Sequence, residues 1–146
     1  MGAAPMTIGA ILRGRTGSVI SAQPDDTVRA VADLLAQNRI GAVPVVDGDA
    51  VVGIFSERDI VRLISSYGPE ALDRRIDDVM TKSPITCAPD MAVIVALSQM
   101  TQKRIRHLPV VEGGKMVGFV SIGDLVKYRI DRIEAEAAAM RDYIAS

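Results

Sequence analysis

Two short segments of the sequence combine a serine with an aspartate three residues later. SERD runs from Ser56 to Asp59 and SIGD from Ser121 to Asp124, and each follows an apolar run and opens a helix pattern. A serine at the N-cap with an acid three residues on is typical of a capping box. The same position also suits a ligand, because a helix N-terminus can hold a phosphate and an acidic side chain can bind two ribose hydroxyls. The spacing leaves both interpretations open.

Basic side chains lie close to these segments, but at different places in the two copies. Arg104, Arg106 and His107 cluster before Pro109, whereas Arg58 lies inside SERD. Such residues can simply be solvated surface charges. If the segments face a shared cleft, the same arginines would present guanidinium donors to bound phosphates.

The sequence offers little for catalysis or metal binding. His107 is the only histidine and has no acidic or cysteine companion at ligand spacing. Cys87 and His107 make a poor nucleophile pair, because no oxyanion-hole motif accompanies them. There is no glycine-rich phosphate loop and no GxGxxG motif. We therefore predict no catalytic residue, no metal site and no catalytic cofactor, hence a protein that is not an enzyme.

The elements that must position these residues are written twice. An offset of 65 residues relates Pro24 to Pro89 and continues without a gap to Arg62 and Lys127. Of these 39 aligned positions 15 are identical, where ordinary composition gives about three. Each copy reads as a short extended piece (VIS, PIT), a Pro-Asp helix start, a helix and a hairpin around a glycine turn, with a second helix after it. The repeat is β-α-β-β-α, and Pro44 and Pro109 mark a strand edge or a strand boundary.

Length and composition bound the remaining possibilities. A unit of about 60 residues is marginal alone, so two copies are expected to complete each other's core about a pseudo-twofold axis. The net charge of -1, the absence of Trp and an aromatic content of 3% argue against a nucleic-acid partner. No run is apolar enough to span a membrane, and the lone cysteine excludes an internal disulfide. We expect a cytoplasmic protein with no membrane partner.

The C-terminal segment continues the last helix with a heptad-like seam. The seam consists of Val126, Ile130, Ile133, Ala137, Met140 and Ile144. Their spacing of four and three residues is typical either of an amphipathic helix on its own chain or of a helix that packs against a second copy.

As a set, these motifs resemble a tandem pair of CBS domains, the regulatory modules named after cystathionine β-synthase. The resemblance covers residues 8–130 and depends on IGAVPVVD…VVGIFSERDIV and VMTKSPITCAPD…RIRHLPVVE…MVGFVSIGDLV. It implies an α+β fold with CBS domain 1 over 8–68, CBS domain 2 over 69–130 and a helical extension over 131–146. It also implies a cleft between the repeats for adenosine ligands, with AMP first, then ATP or ADP, NAD and S-adenosylmethionine.

The resemblance further implies one ligand site per repeat, with the adenine beside the leading strand and the backbone before the proline. The first site would use Ser18, Val19, Ile20, Gly41, Ala42, Val43, Pro44, Ser56, Arg58 and Asp59. The second would use Thr81, Ser83, Pro84, Ile85, Ile105, Arg106, His107, Pro109, Ser121 and Asp124. The serine would meet the phosphate and the aspartate the ribose.

The sequence thus predicts a non-enzymatic, homodimeric adenine-nucleotide sensor that signals to an enzyme or transporter in trans. Two alternatives stay open. One is a redox sensor that binds a single NAD(H) across both sites, and the other is an interaction or dimerisation module without a ligand.

Overall fold

The structure is a computed structural model and describes residues 6–145. The helices are Ile8–Arg13 (α1), Val28–Asn38 (α2), Glu57–Tyr67 (α3), Ile76–Val79 (α4), Val93–Lys103 (α5) and Ile122–Ala145 (α6), with a 3-10 segment at Gly68–Asp73. The strands are Ala42–Asp47 (β1), Ala50–Ser56 (β2), Thr81–Lys82 (β3), His107–Glu112 (β4) and Lys115–Ser121 (β5). The α+β class and the two repeats are confirmed.

Each repeat is built on one antiparallel hairpin, β1–β2 in the first and β4–β5 in the second. Both hairpins shift register at matching positions, after Val45 and after Val110. Gly48 and Gly113 adopt positive φ in the two turns, where a residue without Cβ is favoured. The copies differ in one respect: β3 from the connecting segment pairs with β2, so the first sheet has three strands and the second has two.

The leading extended pieces do not form the strands that the sequence predicts. The first repeat keeps a single parallel bridge, in which Ala22 donates to the Pro44 carbonyl and accepts from the Val46 N–H. Pairing one step earlier would need an N–H on Pro44, and one step later an N–H on Pro24. Proline has neither, so the bridge stays one residue long.

The second repeat is stopped in the same way. Cys87 donates to the Pro109 carbonyl at 3.0 Å and accepts from the Val111 N–H at 2.8 Å. Pro109 and Pro89 block further pairing on the two sides. The chain before each bridge therefore leaves the sheet with its backbone groups unused by the ladder, and that stretch contains the predicted adenine-side residues.

The two hydrophobic cores exchange their leading helices. Ile8 and Ile11 of α1 are buried in the core of the second repeat, and Ile76 of α4 is buried in the core of the first. Matching backbone bonds hold these exchanges: Ile8 N–H donates to the Met91 carbonyl at 2.9 Å, and Ile76 N–H donates to the Asp26 carbonyl at 2.8 Å. Each repeat thus completes its core with a segment that precedes the other.

Helix α6 extends well beyond the second core. Only Leu125 is buried in it, and five of the six seam residues are between 42% and 76% exposed. The confirmed C-terminal helix therefore presents an apolar face that its own chain leaves uncovered. The last residue of the expected 131–146 extension lies outside the described residues. Among the described helices, none is both long and apolar enough to cross a membrane.

Candidate ligand-binding clefts

The Ser-x-x-Asp segment of the first repeat is a complete capping box. The backbone N–H of Ser56 donates to Asp59 Oδ2 at 2.9 Å, and Asp59 N–H donates to Ser56 Oγ at 3.2 Å. The Ser56 hydroxyl lies a further 2.9 Å from the same Oδ2. The other oxygen, Oδ1, has only the Arg62 guanidinium at 3.9 Å. The cap uses one carboxylate oxygen and leaves the second available to a ligand.

The matching segment of the second repeat has an additional partner. Ser121 N–H donates to Asp124 Oδ2 at 2.8 Å, and Asp124 N–H donates to Ser121 Oγ at 3.0 Å. Arg15, from the segment after α1, also lies 2.8 Å from Asp124 Oδ2 through Nη2. Its Nη1 donates to the Phe119 carbonyl at 2.7 Å. The charge of Asp124 is therefore already balanced, whereas that of Asp59 is largely not.

These contacts set the protonation state of Asp124. Burial acts to raise the pKa of this carboxyl, but the hydrogen bond from Ser121 N–H and the Arg15 guanidinium together outweigh it. The net pKa lies below the ordinary value of 3.8. Asp124 is thus an anion at neutral pH and can act only as a hydrogen-bond acceptor.

Two clefts open beside these helix N-termini. The Asp124 cleft has a volume of about 540 Å³ and is lined by Arg15, Thr16, Gly17, Ser18, Val19, Ile20, Arg39, Ile40, Gly41, Ala42, His107, Phe119, Ser121 and Asp124. The Asp59 cleft has a volume of about 450 Å³ and is lined by Gly41, Ile54, Ser56, Glu57, Arg58, Asp59, Arg62, Thr81, Ser83, Pro84, Ile85, Arg104, Ile105, Arg106 and His107. Both volumes lie in the range of small-ligand sites.

Most of the site residues expected from the sequence line one of the clefts, but their grouping differs from one site per repeat. The leading segment of the first repeat, 15–20, lies with Asp124, and that of the second, 81–85, lies with Asp59. The exchanged helices are the reason, because α1 and α4 deliver the chain that follows them to the opposite repeat. Each cleft therefore needs both repeats.

Three expected residues line neither cleft. Val43, Pro44 and Pro109 are buried, and the two proline carbonyls accept the N–H groups of Ala22 and Cys87. Their side chains belong to the two cores. They act on the clefts only indirectly, by ending the pairing of the leading segments.

The clefts also contain residues that we did not predict as site residues from the sequence. They are Arg15, Thr16, Gly17, Arg39, Ile40 and Phe119 in one cleft and Ile54, Glu57, Arg62 and Arg104 in the other. A signal existed for Arg39 and Arg104, which are identical at the offset of 65 residues. Both adopt left-handed backbone, with φ of 53° and 55°, a conformation that is uncommon for residues other than glycine.

The hypothesis of a Cys87–His107 nucleophile pair finds no support in the geometry. Cys87 is buried, and burial raises the pKa of its thiol to about 11, so the reactive thiolate is scarce at neutral pH. His107 instead stacks on Phe119, with ring centroids 5.4 Å apart. Burial, assisted by Arg106 and opposed by Asp124, lowers the pKa of His107. The described residues include no cluster of three or more potential metal ligands.

The fold and the paired clefts define a class of module: two hairpin repeats that exchange their leading segments and share a cleft at each helix N-terminus. The family model of the CBS domain matches residues 12–66 and again residues 76–131. The chain belongs to the CBS domain family and carries a tandem pair of its domains.

Known proteins resemble the chain over most of its length. A mitochondrial CBS domain-containing protein of Arabidopsis thaliana is 35% identical over 88% of the chain, which spans 65% of that relative's length. The crystal structure of a CBS-domain containing protein from Agrobacterium tumefaciens has a TM-score of 0.81 and 34% identity, covering 88% of this chain and 98% of that one. A CBS domain protein from Pyrobaculum aerophilum complexed with AMP has a TM-score of 0.71 and 30% identity, covering 81% and 88%.

Proposed function

We propose that this protein is a non-enzymatic regulatory module that binds an adenine nucleotide in the clefts between its CBS repeats. One observation carries the proposal: each cleft joins a Ser-x-x-Asp helix N-terminus of one repeat to the unpaired leading segment of the other. The helix N-terminus suits a phosphate, the aspartate suits the ribose, and the free backbone groups suit the edge of an adenine. AMP is the first candidate, since the similar Pyrobaculum protein is complexed with AMP.

The position of the clefts supports a regulatory role. Both repeats line each cleft, and Gly41 and His107 line both clefts. A ligand that contacts both walls stabilises the arrangement in which the repeats are closed upon it. It therefore shifts the population of packing arrangements by as much as its affinities for them differ, and an enzyme or transporter in trans would respond to that shift.

The experiment is calorimetric titration of AMP into the chain and into Asp59→Asn and Asp124→Asn. Asparagine keeps the side-chain oxygen that the capping box needs but loses the anionic acceptor for two ribose hydroxyls. We expect each variant to lose about 1–3 kcal/mol of binding free energy at its own cleft, the scale of a charged hydrogen bond. Thermal unfolding without ligand serves as the control for folding. Unchanged affinity in both variants would exclude the ribose role.

A second candidate is one NAD(H) spanning both clefts. It is favoured by their common wall, because a dinucleotide could follow Gly41 and His107 from one cleft into the other. Native mass spectrometry of the freshly purified protein separates the candidates by ligand mass and stoichiometry, with one NAD(H) or two mononucleotides per chain. A module without any ligand predicts that no adenosine compound raises the melting temperature.

The proposal includes a homodimer that uses the exposed face of α6. A cytoplasmic location stays a prediction, for which cell fractionation is the measurement; the name of the Arabidopsis relative assigns that protein to mitochondria.

A further inference from the structure

We infer that the two clefts take ligands of different charge: the Asp59 cleft binds a nucleoside di- or triphosphate, and the Asp124 cleft binds a monophosphate or an uncharged nucleoside. This rests on the proposed function and adds the ligand class of each cleft. The argument uses the internal repeat, because every wall position of one cleft has a counterpart in the other.

Two matching positions carry arginine in the Asp59 cleft and glycine in the Asp124 cleft. Arg106 corresponds to Gly41, and Arg58 corresponds to Gly123, by the offset of 65 residues. Arg106 and Arg58 both line the Asp59 cleft, one from the β4 side and one from the first turn of α3. The repeats therefore share the framework of a site while differing by two guanidinium groups.

The ion pairs increase this difference. In the Asp124 cleft, Arg15 is bound to Asp124 at 2.8 Å and to a backbone carbonyl. Among the described residues, Arg39 is then the cleft's one arginine without a carboxylate within 4.0 Å. In the Asp59 cleft, Arg62 lies 3.9 Å from Asp59, and Arg58, Arg104 and Arg106 have no carboxylate within that distance in the described chain.

Acidic residues reduce the charge of the Asp59 cleft without cancelling it. Glu57 and Asp59 line it together with four arginines, whereas the Asp124 cleft has one aspartate and two arginines. His107 lines both clefts, and its lowered pKa leaves it neutral at pH 7. Glu57 lies beside Gly41, with Oε1 3.1 Å from the position of a Cβ there. Three free guanidinium groups then face one such carboxylate, which favours a ligand with several phosphate charges.

The test measures AMP, ADP and ATP affinities of each cleft separately, by calorimetry at one fixed ionic strength, with and without Mg²⁺. Asp124→Asn weakens one cleft and reports on the other, and Asp59→Asn does the reverse. We expect the Asp59 cleft to bind ATP at least roughly tenfold more tightly than AMP, the scale of one charged hydrogen bond. The Asp124 cleft should show no preference for ATP.

Two matched substitutions isolate the arginines. Arg58→Gln with Arg106→Gln should abolish the ATP preference of the Asp59 cleft while AMP binding persists. Gly123→Arg should give the Asp124 cleft a gain in ATP affinity, and Gly123→Gln, which adds length without charge, should not. A Cβ at Gly123 meets only Ser121 Oγ, at 3.6 Å, so the added side chain fits.

The outcomes separate the two proposals. Equal AMP and ATP affinities in both clefts, or an ATP preference that survives loss of Arg58 and Arg106, would overturn the charge assignment while leaving nucleotide binding in place. If no adenine nucleotide binds either cleft of the intact chain, the proposed function itself fails, and this inference with it.

Discussion

At the scale of single residues, Asp124 and Asp59 occupy the same position of the repeat with different neighbours. Arg15 reaches only Asp124, because α1 packs on the second repeat and the chain after it passes that helix N-terminus. A ligand in the Asp124 cleft has to share the carboxylate with Arg15. Identical motif residues therefore give two sites with unequal acceptor strength.

The ion pair makes a prediction about acid stability. Since the folded-state pKa of Asp124 lies below its ordinary value, its ionised form stabilises the fold above that value, and this contribution is lost as pH falls through the folded-state pKa. Asp124→Asn should lower the free energy of unfolding at pH 7 and leave it nearly unchanged at the acid end. Urea unfolding at several pH values measures this.

Asp90→Asn is the matched control for that prediction, because Asp90 is an exposed carboxylate without an ion pair to another described residue. It should change the free energy of unfolding little at either pH. A destabilisation by Asp124→Asn that is equally large in acid would contradict the electrostatic account.

At the scale of elements, one glycine in each second hairpin strand lets the exchanged segment cross closely. A Cβ at Gly53 would overlap Met80 Sδ and lie 2.8 Å from the Thr81 carbonyl oxygen, whereas a Cβ at Gly118 would meet the Leu12 methyl groups at 2.5 and 2.7 Å. The Thr81 carbonyl belongs to the β2–β3 pair and is hard to move. The Leu12 methyls end a flexible side chain.

We therefore expect Gly53→Ala to destabilise the fold by about 1–3 kcal/mol, and Gly118→Ala to cost clearly less. Gly14→Ala is the control, because its Cβ would meet only the Ile11 carbonyl, at an ordinary 3.6 Å. Midpoints and slopes of urea unfolding provide the comparison. Equal losses at Gly53 and Gly118 would show that the backbone contact is not the deciding one.

At the scale of the whole molecule, the uncovered face of α6 is the feature that the single chain does not explain. Ile130 and Ile133 are 48% and 49% exposed and lie on the same seam. For the proposed homodimer, Ile130→Glu with Ile133→Glu should convert the dimer to a monomer, because association would bury two charges in an apolar interface. Light scattering after size-exclusion chromatography measures the mass.

Ala135→Glu adds a charge to an exposed α6 position outside the seam and should leave the mass unchanged. Thermal unfolding of each variant tests whether the monomer is still folded. A wild-type chain that is monomeric at high concentration, or a double variant that stays dimeric, would contradict this role of the seam.

The sequence by itself determined the repeat, the order of its elements and the residues that open the two helices. These features are local: hairpin turns, apolar periodicity and capping boxes depend on neighbours a few positions apart. Val28, Val31 and Leu35 are buried as the spacing predicts. The exception among local features was the leading strand of each repeat, where prolines on both the strand and its partner stop the pairing.

Only the tertiary structure decided which residues share a cleft. The exchange of α1 and α4 between the cores depends on contacts between distant parts of the chain, which periodicity within one repeat does not contain. That exchange joins the leading segment of each repeat to the aspartate of the other and brings Arg15 to Asp124. The residue types are local, but the site is made by packing, because each core is completed by a helix from outside its own repeat.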